Sequence, residues 1–393
     1  MVPDRSLDER VKLTCQEDFT MSSYQFPGGP AASQEMAKLL AAGLGDRRAF
    51  FKRAAGLGLA LPVLGGLGLQ AHTADAQDEQ EHEMEGTPES GYVGSDPQSP
   101  STGDESPVPT EVQPFTVYDP VLQPVEAGPK EITIVAQDAS LFIAKDVPYA
   151  AWTFDGTVPG RALRVVEGDE IAFTLAIDPN AITAHSMDFH SAQTPPNVNY
   201  KTVLPGEEFS WNFVPKHPGA FMYHCGTPPV LMHIGTGMYG AMIVDPKDGW
   251  SDAQELVFVQ SDFYLKDGEN GIKVPDYTKM MGNGAMDYVV FNGYANQYVD
   301  TPIVVKAGEP IRIFLVNAGP NAYSTFHVVG AIFDRVCVNA NPRNELFGLQ
   351  SWTIGPGDGA CFEFTLEEPG IYPAVNHAFG HAAHGAIALL QAE

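Results

Sequence analysis

The chain has 393 residues, 44% of them hydrophobic, which is enough to fill two cores of ordinary domain size. Its formal net charge of -27 repels a polyanion and excludes nucleic-acid binding. The four cysteines, Cys15, Cys225, Cys337 and Cys361, are spaced for neither a disulfide scaffold nor a CxxC zinc site.

Near the start, Asp46-Arg47-Arg48-Ala49-Phe50-Phe51-Lys52-Arg53 precedes an apolar, Gly-rich run from Ala54 to Leu69, and Ala74-Asp75-Ala76 follows. This order of a basic segment, an apolar segment and small residues predicts a twin-arginine export signal cut after Ala76, and hence a periplasmic or extracellular protein. The apolar run is short for a membrane span, which needs about 20 residues, so no stable span is expected. Residues 1–76 are read as N-terminal extension and signal.

Ten acidic side chains lie between Asp78 and Glu111, and no Lys or Arg occurs between Arg53 and Lys130. With few large apolar residues, this stretch cannot offset its ordering entropy by burial. Residues 77–113 are therefore expected to form an acidic disordered linker.

Beyond it come short alternating runs such as Glu131-Ile132-Thr133-Ile134-Val135 and Ile171-Ala172-Phe173-Thr174-Leu175, broken by Pro-Gly and Gly-Asp turns. Alternation of apolar and polar residues is the strand period, so the fold class is all-β. The pattern occurs twice. Pro205-Gly206 precedes Pro218-Gly219 by the interval that separates Pro356-Gly357 from Pro369-Gly370. Two tandem cupredoxin-like Greek-key sandwiches are predicted, over residues 114–248 and 249–393.

The first copy contains His185-Ser186-Met187-Asp188-Phe189-His190, then His224-Cys225, His233 and Met238. Two histidines, a thiolate and a weak axial thioether form a blue-copper ligand set, and His185, Cys225, His233 and Met238 supply it. Neighbours on a strand face opposite ways, so His224 projects away from Cys225, toward a second metal. His190 is free to join His224 there. In the repeat, Val375-Asn376-His377 occupies the place of His224-Cys225; it can rebuild no blue site but can lend His377. Three histidines with an open position suit a copper that binds a small ligand. Asp188 and His327 are the candidate proton donors, against the plainer readings of a turn-capping Asp and a core His. His381 and His384 are alternative ligands or loop residues; His217 is read as a surface turn, and His72 and His82 belong to the signal and tail. Cys337 and Cys361 are either a disulfide formed after export or two buried thiols.

The segment from Phe221 to Gly240 resembles the short-loop variant of the blue-copper segment of copper-containing nitrite reductases. Segments 185–190, 326–330 and 375–377 resemble that family's ligand and catalytic segments, and the resemblance extends from about Tyr118 to the C-terminus. It implies one type 1 and one type 2 copper per subunit, nitrite as substrate and nitric oxide as product. It also implies a small copper protein or cytochrome c as electron donor, and a homotrimer. The type 2 copper would lie between subunits, held by His190 and His224 of one chain and His377 of the next, and Val329 would limit the space above it. One departure is Ser191-Ala192-Gln193-Thr194-Pro195-Pro196, where many members have a Gly- and Ala-rich loop. Two other readings are a two-domain, laccase-like multicopper oxidase and a non-catalytic electron carrier. The oxidase needs paired His-x-His motifs and a His-Cys-His segment, and here no His-x-His occurs and Gly226 follows Cys225.

Overall fold

The computed structural model describes residues 111–282 and 285–393. The export signal, Cys15, His72, His82 and the linker as far as residue 110 lie outside the described residues.

Two β-sandwiches account for nearly all of the described chain. The first contains β1 (Lys130–Ala144), β2 (Val147–Phe154), β3 (Leu163–Val166), β4 (Ile171–Ile177), β5 (Asp188–Phe189), β6 (Glu208–Phe213), β7 (Gly219–His224) and β8 (Tyr239–Asp245). The second begins at β9 (Gln254–Phe263) and sends out a hairpin, β10 (Leu265–Asp267) and β11 (Lys273–Pro275). It continues through β12 (Tyr288–Phe291), β13 (Ile303–Val305), β14 (Pro310–Gly319), β15 (Ser324–Val328), β16 (Phe333–Val338) and β17 (Glu345–Leu349). It closes with β18 (Trp352–Ile354), β19 (Asp358–Thr365), β20 (Gly370–Asn376) and β21 (Ile387–Ala392).

The internal repeat read from the Pro-Gly spacing reappears as repeated topology. In the first sandwich β1 pairs in parallel with β4 and β4 antiparallel with β6; in the second, β9, β14 and β19 do the same. Facing sheets run β3-β8-β7-β5 and β13-β21-β20-β15-β18. Period-2 alternation explains the burial: on β4, Ile171, Phe173, Leu175 and Ile177 are buried and the residues between them are more open. Each such side chain contributes about 1.5–3 kcal/mol relative to exposure.

β8 and β14 break the alternation because both of their faces are covered. Met242 and Val244 fill the first sandwich, while Tyr239, Ala241 and Ile243 meet Phe314, Val316 and Ala318 of β14 in a core shared by the two sandwiches. The approach is close enough to require glycine: a Cβ on Gly359 of β19 would lie 2.3 Å from the Ala220 carbonyl oxygen. Two features cross the linear division into halves. The β10–β11 hairpin joins the edge of β2, and the segment from Val112 to Leu122 bridges to Ser140 and to Leu256. No helix of the described residues is long and apolar enough to cross a membrane.

Candidate functional site

β7 delivers the reactive segment. β5 pairs with it so that Asp188 stands opposite His224 and Phe189 opposite Tyr223. Residues opposed across a pair share a face. Tyr223 and Phe189 therefore enter the apolar core of the first sandwich, with Cys225 beyond the strand end, while His224 and Asp188 project the other way.

On the core side, His185, Cys225 and His233 bring three donor atoms together, all buried. His233 comes from the short helix Val230–Thr236. The Nδ1 atoms of His185 and His233 are 3.2 Å apart, and Cys225 Sγ lies 3.2 Å from His233 Nδ1 and 3.9 Å from His185 Nδ1. The point equidistant from atoms so separated is about 2.0 Å from each, close to first-row metal bonds of about 2.0 Å to imidazole nitrogen and about 2.3 Å to thiolate sulfur. Burial alone pushes the Cys225 thiol up, but His233 and His185 beside it outweigh that and hold it well below the ordinary thiol range. A thiolate among two imidazoles is a soft set suited to copper.

Met238 is fully buried in the same apolar cluster as Cys225. It is carried there by a turn at Gly237, φ 132°, where a Cβ would meet the Trp152 carbonyl oxygen at 2.9 Å. The turn is closed by bonds from Met238 N to His233 O and from Cys225 N to Met238 O, both 3.1 Å. Trp152 covers the two imidazoles, its ring 5.6 Å from His185 and 4.6 Å from His233. The Ser186 amide donates to Cys225 Sγ at 3.4 Å.

On the other face, Asp188, His190 and His224 form a second donor group. His224 Nδ1 donates to the Cys225 carbonyl at 2.9 Å and His190 Nδ1 donates to the Gly357 carbonyl at 3.1 Å. A carbonyl can only accept, so each neutral ring keeps its proton on Nδ1 and presents a bare Nε2. Those two Nε2 atoms face each other at 3.1 Å, and Asp188 Oδ2 is 3.8 Å from His224 Nε2. Opposed lone pairs at that distance repel unless a cation lies between them, so the donors fit a metal ion. Burial among its neighbours, then the charge of His224, holds His190 below the usual imidazole value, although the residue as a whole is partly open to solvent.

His377 does not belong to this group within one chain. It lies just past β20, exposed, its ring 5.4 Å from that of His327 on β15. Both line a cavity of about 420 Å³ with Thr325, Gln350, Ser351 and Ala378. His327 Nδ1 donates to the Gln350 carbonyl, which leaves its Nε2 edge for other partners. Val329 is 42% exposed at the end of the same strand. His384 lines a different cavity with Asp287 and Lys273, and His381 Nδ1 lies 3.0 Å from Asn376 Nδ2 at the end of β20. Cys337 and Cys361 are unbonded buried thiols, directly opposed across β16 and β19.

The parts played by Trp152, Ser186, Gly357 and Gln350 carry no sequence signal. Three of these act through a backbone amide or carbonyl, which any residue type carries.

A family profile described as Multicopper oxidase matches residues 136–249. The chain is 39% identical over 254 residues to a copper-containing nitrite reductase of Neisseria gonorrhoeae, covering 63% of this chain and 64% of that protein, so it spans just under two thirds of that relative's length. It is 32% identical to the copper-containing nitrite reductase of Rhizobium sullae, covering 67% and 77%. Among solved structures, the copper nitrite reductase of Nitrosomonas europaea superposes with a TM-score of 0.63 at 40% identity, covering 67% of this chain and 94% of that one. With that coverage, and with paired donor groups on opposite faces of one strand end, the chain belongs to the family of copper-containing nitrite reductases.

Proposed function

We propose that this protein reduces nitrite to nitric oxide by one electron, consuming two protons and releasing water. The observation that carries the reading is the adjacency of His224 and Cys225, each in a separate donor group on opposite faces of the strand end. His185, Cys225, His233 and Met238 would hold a type 1 copper; His190, His224 and the His377 of an adjoining chain in a homotrimer would hold a type 2 copper. When bound, copper supplies one-electron storage at the first site and, at the second, a Lewis acid that accepts nitrite.

The chain's own groups do the rest. Cys225 and His224 form the covalent path between the two sites. Asp188, opposite His224, is placed to hold and pass a proton to a nitrite oxygen. His327, oriented by the Gln350 carbonyl, is the second proton donor, and Val329 restricts the space above the bound anion. The exposure of His190 and His377 on a single chain supports completion of the site by a second copy. The Arg47-Arg48 signal supports export, where a small copper protein or cytochrome c would supply electrons.

Copper analysis tests the reading, with about two ions per chain expected against about four for an oxidase and about one for a carrier. Complementation tests the shared site: His224→Ala and His377→Ala chains, each inactive alone, should recover nitrite turnover when refolded together. Failure of co-assembled chains to recover any turnover would overturn the intersubunit arrangement.

A further inference from the structure

His377 leaves the sheet at the end of β20 and sits on a turn, and a turn alone holds a ligand ring loosely. What fixes it lies one residue back. Asn376 is fully buried, next in sequence to the buried Ala374 and Val375. A carboxamide is costly there unless every polar atom is matched.

The match is complete. Asn376 Nδ2 donates to Gln260 Oε1 at 3.0 Å and to the Tyr323 carbonyl at 2.8 Å, and it faces His381 Nδ1 at 3.0 Å. Asn376 Oδ1 accepts from the Thr325 amide at 3.2 Å and from the Ala378 amide at 3.1 Å. Thr325 lies two residues before His327 on β15, and Ala378 directly follows His377. One side chain thus ties the strand bearing His327 to the turn bearing His377. A backbone bond of 2.6 Å from His377 N to Thr325 O closes the same ring of contacts.

From this geometry we infer that Asn376, backed by His381, is a positioning residue of the second copper site: it sets the placement of His377 relative to His327. The inference rests on the assignment of His377 as a ligand. In a turn stripped of the carboxamide, the His377 ring samples other orientations, and the site loses a preorganised donor without losing its ligands.

The test uses the full-length, copper-loaded assembly. Asn376→Leu keeps the branched outline and removes all five contacts, His381→Phe removes the ring nitrogen that faces the carboxamide, and His381→Gln returns a polar group there. The readouts are the affinity of the type 2 copper against a competing chelator, its paramagnetic resonance signature, and the thiolate-to-copper absorption of the first site. Asn376→Leu should weaken type 2 copper binding by about 10- to 100-fold and change its resonance, with the blue absorption unaltered. His381→Phe should move the same readouts less, and His381→Gln should return toward the parent. Folded Asn376→Leu with type 2 affinity within about twofold of the parent and the same resonance overturns the inference. If Asn376→Leu does not fold, unchanged type 2 binding in His381→Phe overturns it instead. A parent assembly that holds one copper per chain sinks the two-copper reading and this inference together, whereas two coppers with unaltered variants sinks only the inference.

Discussion

Asp188 and His224 stand directly opposite each other across the β5–β7 pair, with 3.8 Å between Oδ2 and Nε2. The strand register therefore places a carboxylate beside a metal-ready imidazole on the face away from the Cys225 thiolate. Under the proposed function, acid–base work and electron supply would fall on opposite sides of one short segment.

Asp188→Asn keeps the shape of that side chain and removes its ability to give up a proton. Nitrite turnover should fall about 10²- to 10⁴-fold while the blue absorption stays, as followed by nitric oxide release beside the visible spectrum. Turnover equal to the parent would remove Asp188 from the reaction.

Cys225→Ser replaces the thiolate with a weakly acidic hydroxyl. The blue absorption should vanish, and the resonance of the second copper should persist because His224 keeps its bond to the carbonyl of residue 225. A variant that stays blue would contradict the first-site assignment.

Asp262 provides a pH signature from a carboxyl that belongs to neither donor group. It is buried, and desolvation raises its carboxyl from 3.8 to about 6 against the opposing bonds from Tyr264, Ala322 and Asn321. A raised folded-state value means the folded chain binds the proton more tightly than the unfolded chain. Stability from this group is present in acid and lost as pH rises from about 4 through about 6, on the order of 3 kcal/mol in all. Denaturant unfolding of Asp262→Asn should lack that part of the slope. An identical pH dependence in parent and variant would rule out the shift.

Gly359→Ala tests the contact between the sandwiches. The new Cβ would lie 2.3 Å from the Ala220 carbonyl oxygen, and a backbone neighbour cannot swing aside as a flexible side chain can. A loss of about 1–3 kcal/mol in denaturant unfolding is expected. Stability equal to the parent would mean the sandwiches can separate there without cost.

Much of this was legible in the sequence. The paired Pro-Gly turns marked the repeat, and the order His185, Cys225, His233 pointed to the three side chains that meet in the first donor group, because ligand chemistry needs particular side chains. The second group was half legible: His190 and His224 converge within one chain, while His377 stands apart in the cavity with His327. What could not be read was whatever depends on backbone groups or on long-range register. The Gly357 carbonyl that fixes the His190 tautomer is such a case, as is the β10–β11 hairpin that leaves its own half of the chain to join β2. The shared core was hidden too, because β14 looks like an ordinary buried strand until its second face is seen against β8.

The most direct measurement is the yield of nitric oxide per electron when the copper-loaded assembly is mixed anaerobically with nitrite and a limiting artificial reductant. One nitric oxide per electron is predicted, with the blue colour returning as the reductant is exhausted. No nitric oxide from protein carrying both coppers would contradict the account.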